Sequence, residues 1–237
     1  MNPLATIYVG AVIALGASAL VGLAPREYPA PLLAATWMAA MVVVSLFKLR
    51  LPLRGGHSTM SMAYVIDFLV LVTAGPDLAM VIAAAGVIVQ CTARVRRPQP
   101  WYRTAFSVAT VALAVQAAGW IWSSLGGSIA NAGLLTTAVP LALSAVGYFA
   151  VNSGLVAAAI ALSASEEELP AWRPFARTAP AFVVAAGAAI VMQLLLRHEA
   201  YLFMPGAVTP ILVCYFSYAA WFRRIAESDT SVSPSLT

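Results

Sequence analysis

Long apolar runs broken by short polar stretches cover nearly the whole chain. About 20 apolar residues are needed to cross roughly 30 Å of hydrocarbon, and on that measure the runs predict eight helices. They are Leu4–Leu23, Pro31–Phe47, Met60–Ala74, Leu78–Ala93, Thr104–Leu125, Thr137–Ser163, Ala179–Leu196 and Phe203–Phe222. The third and fourth are short and are separated by Gly75-Pro76-Asp77. Proline lacks a backbone donor and glycine tolerates positive φ, so this pair is expected to be a helical hairpin. One long broken helix is the other reading, and it changes the parity of the topology.

Charges between the runs fit the hairpin. Lys48, Arg50 and Arg54 follow the second helix; Arg94, Arg96, Arg97 and Arg103 follow the fourth; Arg173 and Arg177 follow the sixth; Arg223 and Arg224 follow the eighth. The alternate loops hold Arg26 beside Glu27, then Asp77, then the uncharged stretch Gly126 to Thr136, then Arg197 with His198 and Glu199. Basic loops stay in the cytoplasm, so eight spans with N and C termini cytoplasmic fit every loop. The Arg94–Arg97 loop is expected on the anionic inner leaflet, where each charge contributes about 1 kcal/mol.

Composition narrows the class. Of 237 residues, 62% are hydrophobic and 9% charged, with a mean hydropathy of +0.88, which excludes a soluble globular domain. The net charge of +4 does not argue for nucleic acid, because the basic clusters act as topology signals. Cys91 and Cys214 lie inside apolar segments and form neither a disulfide framework nor a CxxC pair, so they do not reveal the redox compartment. Ala17-Ser18-Ala19 resembles a signal-peptide cleavage site, but Met1-Asn2-Pro3 has no basic side chain and the apolar run continues to Leu23. The first run is therefore expected to be a retained helix. It carries Gly10, Ala14, Ser18 and Gly22 at four-residue spacing, a small-residue ridge for close helix approach within the bundle or between subunits. No internal repeat and no inverted pair of broken helices is visible. The expected organisation is one all-α polytopic bundle over residues 1–227, with Ser228–Thr237 as a disordered polar tail.

Asp67 is the one charged residue well inside an apolar run. By the 1.5 Å rise it lies about 12 Å from the Gly75 turn, near the midplane, where a carboxylate costs at least about 2.5 kcal/mol. It must be paired, protonated, or face protein or water; a ligand, ion or proton role stands beside a structural hydrogen bond. Tyr64, three residues earlier, shares its helical face, and Gln116 and Asn152 fall in the same central third. Asp67, Tyr64, Gln116 and Asn152 are the candidate ligand-binding residues, with interhelical hydrogen bonding as the plainer role of each amide. Gln90 and Gln193 lie nearer the two ends.

Catalytic patterns are poorly represented. Glu166-Glu167-Glu168 followed by Arg173 resembles the Glu-Glu-x-x-x-Arg signature of intramembrane CAAX-type proteases, but the spacing is wrong and Pro170 interrupts it, so a solvated acidic turn is expected. His57 and His198 are the only histidines, and the topology puts them on opposite sides of the membrane, so no metal site is expected. No HExxH, GxSxG, P-loop or GxGxxG pattern is present. No cofactor is implied, and the chain is expected not to be an enzyme. Trp101-Tyr102, Trp120, Trp122 and Trp221 fit interfacial belts, with the lining of a ligand site as the other reading.

Several phrases carry a resemblance: Leu51-Pro52-Leu53 through Ser58-Thr59-Met60-Ser61, Gly75-Pro76, Trp101-Tyr102-Arg103 with Phe106, Leu125-Gly126-Gly127, and Tyr215 and Tyr218 leading to Arg223-Arg224-Ile225 and Glu227. Together they resemble the multi-pass N-terminal membrane sensor regions of bacterial HD-GYP and GGDEF signalling proteins. No HD-GYP or GGDEF residues are present, so cyclic-dinucleotide chemistry is not assigned to this polypeptide. The resemblance implies a free-standing sensor or a piece of a longer one, in a bacterial cytoplasmic membrane, that binds a ligand and transmits a signal through its last helix. Its expected partners are the lipid bilayer, a small-molecule ligand, a cytoplasmic signalling partner and a second copy of the chain, with no nucleic acid. The alternative is a small-molecule or ion transporter, or the substrate-binding subunit of one, that uses Asp67.

Overall fold

The computed structural model describes residues 2–28, 30–53, 56–93, 100–127, 134–163, 178–199, 202 and 204–231. Among them are eight helices: α1 (Pro3–Leu23), α2 (Pro31–Ser45), α3 (Tyr64–Ala74), α4 (Pro76–Thr92), α5 (Trp101–Ser124), α6 (Leu134–Ser163), α7 (Ala179–Arg197) and α8 (Met204–Ser231). All eight expected apolar runs are helical over most of their length. Four of them, α1, α5, α6 and α7, are long and apolar enough to cross a membrane, and shorter apolar helices accompany them. Proline in the first turn opens α1, α2, α4 and α7, where its missing N–H has no helical partner to lose.

The glutamate run with Arg173, and Arg94–Arg97, lie outside the described residues. Helix α8 runs four residues into the segment expected to be a disordered tail, to Ser231.

The fold is not helical throughout. Lys48–Leu53 (β1) and Gly56–Ser61 (β2) pair as an antiparallel ribbon, with Lys48 opposite Ser61 and Leu53 opposite Gly56. The third helix therefore begins at Tyr64 and not at Met60, because Met60 and Ser61 pair with Leu49 and Lys48 at the start of the alternating Lys-Leu-Arg-Leu-Pro-Leu of β1. Helix α3 has 11 residues and is about 16 Å long. Helix α2 is short too and ends against the middle of α4, with Met41 and Ser45 beside Gly86, about 15 Å of helix from Pro76. The ribbon thus continues α2 and α3 where both stop, about half way along the bundle, and β1 packs against α8.

Between α3 and α4 the chain turns at Gly75, with φ 88° and ψ 170°, a region open essentially to glycine alone. The two helices pack against one another, as a hairpin requires. Close approach at this end depends on Gly119 of α5, where a Cβ would collide with Pro76.

Helix α3 is the innermost element. Residues Tyr64 to Leu71 are all buried, enclosed by α4, α7, α2 and α5. Helix α1 packs on α5 and α6 through Ala5, Val12 and Gly16, and the Tyr8 hydroxyl donates to the Leu155 carbonyl at 3.1 Å. The ridge of Gly10, Ala14, Ser18 and Gly22 is exposed instead. It is not the face that α1 turns to the bundle.

Candidate functional site

Asp67 lies in the first turn of α3, where the helix dipole favours negative charge. The residue is 4% exposed. Its Oδ2 accepts a hydrogen bond of 2.8 Å from the Tyr148 hydroxyl. Its Oδ1 is buried and has no partner among the described residues. Tyr148 stands at the middle of α6, roughly 21 Å from either end by the 1.5 Å rise. The carboxyl group is therefore half way along the longest helix of the bundle, even though it is near the start of its own.

Aromatic rings enclose the pair. Phe68 meets Tyr148 edge-on with ring centroids 5.4 Å apart. Phe182 of α7 tilts against Tyr148 at 5.7 Å and against Phe149 at 5.3 Å, and stacks on Tyr64 at 4.3 Å. Three helices thus contribute one aromatic cluster around Tyr148, which the acid joins through the Tyr148 hydroxyl. Rings supply apolar bulk with weakly negative faces, so the cluster itself brings no positive charge to the carboxyl.

Of the four residues expected to share a pocket, the structure brings together two. Tyr64 and Asp67 belong to the same cluster. Gln116 does not: its Nε2 donates to Asp77 Oδ1 at 3.1 Å and approaches Met80 Sδ at 3.4 Å, so it ties α5 to the start of α4. Asn152 lies one turn beyond Tyr148 on α6, half-buried, and its side chain makes no hydrogen bond among the described residues. Tyr148 is the residue of the candidate site that the sequence reading missed. Its signal was present as a hydroxyl one turn from Asn152, deep in an apolar run.

An acid with one accepted hydrogen bond and one bare oxygen can accept a further donor, hold a proton or balance a cation. It cannot form a metal centre by itself, and no cluster of three or more metal-binding side chains exists among the described residues. A buried acceptor left unpaired costs about 1–3 kcal/mol, and such groups concentrate at functional sites. The indole N–H of Trp37 on α2 is the second buried polar atom without a partner among the described residues.

Near the cluster a shallow apolar crevice is bounded by Met62, Tyr64, Ala181, Ala185, Ile211 and Cys214, from the start of α3, α7 and α8. It holds no space for a water. Tyr64 belongs to both features, with one side on the crevice and its ring on Phe182.

Fold and site together define a multi-helix integral membrane protein built around one buried acid. Residues 33–220 match the MASE9 family model, and the chain belongs to this family, one of the membrane-associated sensor domains and not a catalytic one. The match begins within α2, so α1 lies outside it. No curated protein and no solved structure matches the chain.

Proposed function

We propose that this chain is a non-enzymatic sensor module that binds a small ligand at Asp67 and passes the resulting change through α8 to a cytoplasmic partner or to an output domain of the HD-GYP or GGDEF kind. On this reading eight spans cross a bacterial cytoplasmic membrane with both termini inside, the short α2 and α3 each being completed by the ribbon. The observation that carries the reading is the bare Oδ1 of Asp67, held without a compensating partner on the most enclosed helix. Binding there can act only by favouring one packing of the bundle over another. The route to α8 is short, since α7 carries Phe182 and packs on α8, while the ribbon leading into α3 packs on α8 as well.

The test is a distance measurement between spin labels at Ser163 on α6 and Ala226 on α8, in nanodiscs. Asp67→Asn, which replaces the charge and keeps the shape, is expected to change the distance distribution. An unchanged distribution across the wild type and the Asn and Ala variants of Asp67 would remove α8 as the output.

Transport is favoured by one observation. A span that is half helix and half extended chain is the form that binding sites take in many transporters. Proteoliposome flux that disappears in Asp67→Asn is the expected result on that reading, and its absence under ion gradients counts against it.

A further inference from the structure

We propose that the ligand of the Asp67 site is the proton: Asp67 Oδ1 binds it in one packing of the bundle and releases it to water at the ribbon in another. The proposal rests on the sensor reading above and names the ligand of that site.

Space favours the proton. Asp67 is 4% exposed, and its Oδ1 meets no donor among the described residues. An amine or a metal ion needs a cavity and further ligating groups, whereas a proton binds a carboxyl oxygen without displacing an atom. Charge favours it too. An isolated carboxylate in apolar surroundings is so poorly solvated that such groups take up a proton instead, and one hydrogen bond of 2.8 Å from the Tyr148 hydroxyl does not replace a hydration shell.

The neighbouring helices offer little to compete. Helix α3 packs against α4, α7, α2 and α5. Their titratable and charged side chains are Asp77 and Cys91 on α4, Arg197 on α7, and Tyr102 and Arg103 on α5, with none on α2. Each stands near a helix end, about 10 Å or more from Asp67 in depth by the 1.5 Å rise. On α6 the one such group is Tyr148 itself, and on α3 it is Tyr64; the ribbon leading into α3 adds Lys48, Arg50 and His57.

The way in for a proton is short. Asp67 is in the first turn of α3, just beyond Ser61, where β2 ends. Two paired strands leave backbone groups unpaired along their outer edges, and such groups meet protein or water and not lipid. When the Oδ1–H bond breaks, the electron pair stays on oxygen and the proton passes to water at the ribbon. The carboxylate left behind needs more donors than Tyr148 supplies, and α3 gains them by shifting towards the ribbon, which packs on α8 through β1.

The test is pH-difference infrared spectroscopy of the full chain in an ester-free detergent, where a carboxylic acid C=O band reports the protonated form directly. In the wild type a band lost as the pH is raised from mildly acid to mildly alkaline is expected, and in Asp67→Asn its absence. Tyr148→Phe, which removes the donor to Oδ2, is expected to shift the same band, and it decides the assignment if Asp67→Asn does not fold. A band missing at every pH, the result if Lys48, Arg50 or His57 paired with the carboxylate, overturns the proposal. So does a band that does not titrate, or one indifferent to both substitutions. The spin-label distances are read separately: the wild type at low pH and Asp67→Asn at any pH are expected to give one distribution, since both carry a neutral side chain of the same shape. An α8 that responds to Asp67→Asn with no titrating band leaves the sensor reading standing and rejects the proton as its ligand. A titrating band with a still α8 does the reverse.

Discussion

Tyr148 and Asp67 join α6 to α3 at the centre of the molecule by one hydrogen bond. Tyr148→Phe leaves both carboxyl oxygens without a protein partner, and a loss of about 1–3 kcal/mol of stability is expected. Replacing both members, as in Asp67→Leu with Tyr148→Phe, is expected to recover most of that loss, since two matched apolar groups leave nothing unsatisfied. A double-mutant cycle of denaturant unfolding in detergent measures the coupling; additive losses would show that the bond contributes nothing. The acid was legible in the sequence, because a lone charge in an apolar run has few innocent explanations. Tyr64 was legible too, through three-residue spacing on one helix. Gln116 was misplaced because depth along a helix does not fix which face a side chain occupies, and Asp77, an apparent turn residue, is what claims its amide. Tyr148 escaped notice because tyrosine in a membrane helix ordinarily signals an interface, while here its hydroxyl is buried beside the acid.

At the level of elements, glycines set the joints. Gly75→Ala forces a side chain into a backbone conformation that is essentially glycine's own, with an expected loss of about 1–3 kcal/mol. Gly16→Leu drives a side chain into Ala109 and is expected to lift α1 from α5, whereas Gly10→Leu meets open space and leaves α1 docked. Accessibility of a cysteine placed at Ala109 to a thiol reagent separates the two variants, and equal labelling rules out this docking face. Helix positions followed the apolar runs closely because hydrophobic length governs membrane segments. The ribbon was missed for a different reason. Lys48-Leu49-Arg50-Leu51-Pro52-Leu53 alternates strictly, which is strand periodicity, but its basic residues equally fit the topology signal of a cytoplasmic loop. The small-residue ridge of α1 was visible in sequence, yet spacing alone could not show that Ala5, Val12 and Gly16, on a different face, would meet the bundle.

For the whole molecule, the alternating distribution of basic residues predicts the same compartment for both termini. Reporter fusions after Ala93 and after Ser163 are expected to report cytoplasm, and fusions after Leu125 and after His198 the outside; an inverted result after Leu125 would mean that α3 and α4 form a single span. The bundle's layout has a mechanical consequence. Helix α3 is anchored by the Gly75 turn at one end and grades into a paired ribbon at the other, and that ribbon lies against α8. A twist of α3 about its own axis has no helix below it to carry torsion onward. On the proposed sensor reading it would reach the ribbon as a tilt of two strands, and α8, against which β1 packs, would receive it as a sideways push. The extended segment would thus convert rotation at the acid into translation of α8, because a strand pair passes on a push and not a torque.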